Sequence, residues 1–196
     1  MANQIETNIE IQIENRNRKT VFFRPLLCAP LFLFIYLFQQ FSSGNDANTL
    51  VLALPVAAAI IVRNVYPSWL LSFNHAVMEF GSRVAAYVLL LTDEYPTFER
   101  NPKVAVIFPD VEGGKKLNRW LPLVKWFLAI PLYIVGLIYS VFAFFAVILA
   151  WVLTSFSGTY PAWVGELTLN TIRFWNRVYG YVVALVTDEY PSFSLN

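Results

Sequence analysis

The sequence predicts a mainly α-helical integral membrane protein built as two parallel repeats. Each repeat holds a short β-strand, a transmembrane helical hairpin and an amphipathic interfacial helix. Three observations predict it. First, Thr92-Asp93-Glu94-Tyr95-Pro96-Thr97-Phe98 returns as Thr187-Asp188-Glu189-Tyr190-Pro191-Ser192-Phe193, and Tyr66-Pro67-Ser68-Trp69 returns as Tyr160-Pro161-Ala162-Trp163. Second, 57% of the chain is hydrophobic and only 14% charged, against roughly 25% charged in a soluble domain. Third, none of the 14 Lys and Arg lies between Leu26 and Val62 or between Trp126 and Arg173.

The repeat fixes the domain organisation. Arg83 and Tyr87 correspond to Arg177 and Tyr181 at an offset of 94 residues, and Thr92 corresponds to Thr187 at 95. The second copy has therefore gained one residue just before its Thr. Residues 5–99 form the first repeat, a degenerate one, and 103–196 the second.

Taken in order, Ile9, Ile11 and Ile13 alternate with Glu10, Gln12 and Glu14. Period two marks a half-exposed strand. Its counterpart is the shorter stretch from Val104 to Asp110. A lone strand is unstable, so these two are expected to pair at the membrane surface. The polar N-terminus lacks a basic region leading into an apolar core, so a cleaved signal peptide is not expected.

Thr20 to Phe41 is long enough to cross a hydrocarbon core of ~30 Å, with Pro25 in its first turn and Pro30 placed to kink it. Gln39 to Thr49 has turn composition. Leu50 to Val62 forms a short second span. In the second copy, Leu117 to Ser157 is too long for one span and is expected to fold back near Gly136. The lone Cys28 reads as a small buried hydrophobe.

A third helix follows each Tyr-Pro and runs into an apolar stretch, 84–91 or 178–186. Glu166, Asn170, Arg173 and Arg177 share one narrow polar stripe on its face. Glu79 and Arg83 lie with Ser72, His75 and Ser82 on the corresponding stripe of the first copy. If these helices lie in the interface, each repeat crosses twice and every basic residue is on one side. If they span, each crosses three times and the basic clusters fall on opposite sides. The positive-inside rule favours four crossings over six, with both termini cytoplasmic. Trp69, Trp120, Trp163, Tyr66 and Tyr160 read as interfacial anchors.

Asp93-Glu94-Tyr95-Pro96 and Asp188-Glu189-Tyr190-Pro191 read as helix stops. Pro disfavours helical geometry in the residue before it. Acids at a helix C-terminus oppose its dipole, so they call for basic partners: Arg83 and Arg177, or the Lys cluster. His75 and Glu79 have a metal-binding i, i+4 spacing but no third ligand. No catalytic constellation, phosphate loop, cofactor motif or metal set is present, and a net charge of +1 argues against nucleic acid.

Arg119-Trp120-Leu121-Pro122-Leu123-Val124-Lys125-Trp126, Ala129-Ile130-Pro131, Gly158-Thr159-Tyr160-Pro161, Arg177, Tyr181 and the second Asp-Glu-Tyr-Pro motif together resemble the bacterial membrane family catalogued as domain of unknown function 4389. In the first copy Arg24-Pro25 stands where Lys125-Trp126 does. The His that often follows the Ala-Ile-Pro motif is Leu132 here and Leu31 in the first copy. The resemblance implies a multi-pass protein of the bacterial inner membrane with tandem copies and no established activity.

The expected function is that of a non-enzymatic scaffold or accessory subunit of a membrane complex. Its partners would be the lipid bilayer and either other membrane subunits or a second copy. The alternative is a small transporter, channel or lipid-handling protein with Glu79, Arg83, Glu166, Arg173 and Arg177 around a cavity between the repeats.

Overall fold

The two predicted strands find each other. In a computed structural model describing residues 4–33, 36, 48–99 and 101–195, β1 (Glu6–Ile9) pairs antiparallel with β2 (Val104–Ile107), Glu6 opposite Ile107 and Ile9 opposite Val104. Thr7 and Ile9 point inward while Glu6 and Asn8 are exposed. The ladder is shorter than the alternation of Ile9, Ile11 and Ile13 suggests. Glu10 N–H still bonds the Lys103 carbonyl in the same register, but Gln12 N–H bonds the Leu91 carbonyl, so the backbone has by then left the sheet for a helix exit.

The chain is otherwise mainly helical. Helix α1 (Arg18–Phe22) starts where the Asn17 side chain accepts from the N–H groups of Lys19 and Thr20, which satisfies two of the free donors at a helix start. Helix α2 (Arg24–Leu27) carries Pro25 in its first turn, where proline loses no bond. It breaks at Cys28, which is buried, and helical backbone resumes over 29–33. Helix α3 (Asn48–Arg63) follows. Most of the predicted polar turn, and the end of the predicted first span, lie outside the described residues.

Each Tyr-Pro launches a 21-residue helix: α4 (Ser68–Val88) and α7 (Ala162–Val182). Pro67 and Pro161 are extended and cap them. Both helices stop short of the predicted apolar ends at Leu91 and Val186. Between them lie α5 (Pro122–Leu128) and α6 (Ile130–Ser157).

Helix α6 corrects the predicted hairpin. It runs unbroken through Gly136 for 28 residues, about 42 Å. The break comes instead at Ala129, two residues before Pro131, as it does at Cys28 before Pro30. Gly136 serves close packing: a Cβ there would lie 2.8 Å from Trp175 and 2.9 Å from Phe174 on α7. Among the described residues, α6 is the one helix long and apolar enough to cross a membrane. The predicted second span falls in α3, whose 16 residues reach only ~24 Å.

The layers follow from the faces of α7. Arg173 and Asn176 bond Thr7 of β1, and Gly165 and Gly180 sit against Ile11 and Ile5. The opposite face, with Phe174 and Trp175, meets α6. Sheet, α7 and α6 are therefore stacked in that order, with α7 antiparallel to α6. Within the polar stripe of α7, Arg173 is held by the strand while Glu166 stays exposed.

Candidate functional site

The repeated motifs sit where α4 and α7 end. Helix α4 closes with Leu90 in the left-handed region (φ 64), its N–H on the Tyr87 carbonyl and the Leu91 N–H on the Ala86 carbonyl at 2.8 Å. This is a Schellman exit built on leucine rather than glycine. In the second copy Leu185 takes the left-handed place (φ 54), and Val186 N–H bonds the Gly180 carbonyl at 3.0 Å. Gly180 matches Ala86 at the 94-residue offset, and Val186 matches Leu91 at 95. The gained residue is thus absorbed in the turn between them, under an unchanged closing bond.

Beyond each exit, the Thr92 and Thr187 hydroxyls accept from the N–H groups of Glu94 and Glu189. The preceding aspartates then meet buried cations. Asp93 Oδ1 lies 2.6 Å from Arg24 Nη2 and 2.9 Å from Arg16 Nη2, and its Oδ2 accepts from Asn17 N–H. Asp188 Oδ1 lies 2.7 Å from Lys125 Nζ, and its Oδ2 accepts from Asn118 N–H.

Arg24 and Lys125 are used alike. Arg24 donates to the Tyr87 and Thr92 carbonyls and stacks 4.0 Å over the Tyr87 ring. Lys125 donates to the Thr187 carbonyl at 2.6 Å and sits 4.9 Å over the Tyr181 ring. Tyr95 packs edge-on to Tyr87 and Tyr190 to Tyr181, with Pro96 and Pro191 buried. Burial pushes the Lys125 ammonium and the Arg16 guanidinium below their usual ranges, and the facing aspartates oppose this.

Sequence reasoning named the wrong arginines as partners of these acids. Arg83 pairs with Glu79 at 2.9 Å, both buried, and donates to the Thr97 and Phe98 carbonyls. Arg177 donates to the Ser192 hydroxyl and the Ser194 carbonyl. Both therefore hold down the segment after Tyr-Pro. Glu94 pairs with Lys103 and accepts from Asn101. Lys125 was in the expected Lys cluster, but Arg16 and Arg24 were missed. The available signal was position: Arg24 precedes Pro30 as Lys125 precedes Pro131.

Two of the remaining stripe residues, Arg173 and His75, serve the sheet. Arg173 bonds the Thr7 carbonyl and the Asn170 side chain, and Glu166 is exposed. His75 Nε2 donates to the Val106 carbonyl at 2.7 Å and its ring meets Phe108 edge-on. Arg173 and His75 thus occupy outward carbonyls of two residues that face each other across the sheet, leaving them unavailable to another strand. Among the described residues, no group of three His, Cys, Asp or Glu could hold a metal ion.

The expected interfacial tyrosines are core bolts. Tyr66 donates to the Ala184 carbonyl at 2.6 Å and Tyr160 to the Leu89 carbonyl at 3.2 Å. Each joins the start of one long helix to the exit of the other, and burial pushes both phenols up to about 12. Trp69, Trp120 and Trp163 are exposed.

Between α4 and α7, beside Tyr133, lies an apolar cleft of about 480 Å³ with Ser82 and Asn176 in its wall. None of Glu79, Arg83, Glu166, Arg173 and Arg177 is among the described residues lining it. Comparison with protein-family models, with curated proteins and with solved structures finds no match.

Proposed function

We propose that the chain is a non-enzymatic protein of the bacterial inner membrane that acts as a scaffold or accessory subunit, built from two copies of one unit about a two-fold axis. The outer surface of α6 carries this reading. It exposes large side chains such as Ile134, Leu137, Phe142, Phe145 and Phe156 and has no charged residue along its 28 positions. A surface of that kind calls for lipid or a protein partner in place of water.

Two further facts support it. The ionisable residues singled out by the sequence are largely committed to fastening the chain to itself, which favours a scaffold over a transport path. The reciprocal bonds of Tyr66 and Tyr160, and the matched latches of Asp93 and Asp188, support the paired-unit architecture. The motifs that resemble the domain of unknown function 4389 support the cellular setting.

The test is purification in mild detergent after carbonate washing, followed by mass spectrometry of what remains bound. A stoichiometric second protein is the expected result. A clean homo-oligomer carrying one small molecule would sink the accessory-subunit reading in favour of transport.

A further inference from the structure

Helix α7 is covered on opposite faces, by the sheet on one and by α6 on the other, and the two long helices run side by side. Whatever depth α6 occupies along its length, α7 and the sheet share its direction. Were α6 to stand upright across a bilayer, α7 would stand beside it. The outer face of the sheet, where Glu6, Asn8 and Glu10 are exposed, would then be drawn to the depth of the hydrocarbon. Charged carboxylates are strongly disfavoured there.

The basic residues make the same point. Arg18 bonds the Ser157 carbonyl at the C-terminal end of α6, with Lys19 next to it in sequence. Lys125 lies just before the N-terminal end, in α5, and Lys115, Lys116 and Arg119 precede it in the chain. An upright α6 would separate these two clusters across the membrane, against the tendency of basic residues to stay on the cytoplasmic side. Laid flat, α6 keeps both clusters at one surface. Its apolar outer side then faces the acyl chains, and the sheet faces water.

We infer that α6 lies in the plane of the membrane, seated in one leaflet as the floor of the stack, rather than crossing it. The partner of its outer face is the phospholipid of that leaflet. The inference rests on the membrane reading above and goes beyond it. It explains why a helix of crossing length carries a layered, charged structure along its flank.

Ile134, Phe145 and Phe156 provide the test. They are spaced 11 residues apart on one face and are 59%, 65% and 78% exposed, so substitution leaves the packing intact. In a Cys28→Ala background, Ile134→Cys, Phe145→Cys and Phe156→Cys are each labelled with a nitroxide. The protein is reconstituted in phosphatidylethanolamine–phosphatidylglycerol vesicles, and depth is read from the ratio of oxygen to nickel-chelate accessibility. The flat helix gives three equal immersion depths. An upright helix places the outer two labels about 33 Å apart along the normal, with the central label deepest; that profile would overturn the inference while leaving the membrane reading intact. Three fully water-accessible labels would overturn both.

Discussion

Ser82 and Asn176 hydrogen-bond to each other at 3.0 Å, and they occupy the same position in the two copies of the sequence. A contact between equivalent positions is what the proposed two-fold pairing of the copies calls for, as in an isologous dimer interface. Asn176 also donates to the buried Thr7 hydroxyl at 2.9 Å. Asn176→Ala removes both bonds and should cost about 1–3 kcal/mol. Ser82→Ala leaves Asn176 its bond to Thr7 and should cost less. Urea unfolding in mild detergent gives the order, and equal losses would count against Asn176 as the hub.

The two latches should respond differently to loss of their acids. Asp93→Ala strands Arg16 and Arg24, which are 5% and 2% exposed, and arginine cannot shed its proton. The cost should be about 3–5 kcal/mol. Asp188→Ala strands Lys125, whose ammonium is already held below its usual range by burial, and lysine can neutralise. The unfolded chain then binds the extra proton, so the stability of Asp188→Ala should rise from pH 7 to pH 9.5 while that of Asp93→Ala stays flat. Unfolding curves at the two pH values check this, and parallel behaviour of the two variants would refute it.

Two helix-interior glycines should behave oppositely. A side chain at Gly136 meets the rings of Phe174 and Trp175, whereas nothing lies within 4 Å of a Cβ at Gly81. Gly136→Leu should destabilise by about 1–3 kcal/mol through overpacking. Gly81→Ala should stabilise by up to about 1 kcal/mol through helix propensity. Melting temperatures of the two variants settle the matter. A harmless Gly136→Leu would reopen the case for a bend at that point.

Tyr66 and Tyr160 set an alkaline limit. Their phenols are raised to about 12, above an unfolded value near 10. Their contribution is complete below pH 10 and is lost as pH climbs toward 12, by up to about 2–3 kcal/mol each. Tyr66→Phe should be less stable than the parent at pH 7, through loss of its bond to Ala184. It should also lose less on going from pH 10 to pH 12. Circular dichroism at both pH values reads the two slopes, and identical slopes would rule the phenol out.

Much of this architecture is legible in the sequence. The pairing of the two strands, the starts of α4 and α7 at Tyr-Pro, and the stop after each apolar helix all follow from local rules. What local rules miss is where a side chain is aimed by the other copy. Tyr66 and Tyr160 look like membrane anchors because Tyr-Pro beside Trp is an interfacial pattern, yet each is turned inward by a carbonyl 118 or 71 residues away. Gly136 looks like a bend because its reason, the ring of Trp175, lies on another helix. Arg83 was a sensible partner for Asp93 by proximity in sequence, but Arg24 reaches it from the preceding segment. The helix period of α7 shows which residues share the polar stripe, but not that Arg173 meets a strand while Glu166 meets solvent.

The position of β1 also has a consequence for how the chain is made. Thr7 gains its strand partner Val106, and then the side chains of Arg173 and Asn176, only once those positions have left the ribosome. Translation proceeds at ~5–20 residues per second, so β1 waits about 5–20 s for β2 and longer for α7. During that interval Ile5 and Ile9 lack the strand-side cover of Val106 and Val104, and the Leu89 carbonyl at the exit of α4 waits for the Tyr160 hydroxyl. Synthesis of the second half is therefore the step that completes the first, and a truncated product would leave the ribosome with an open strand edge.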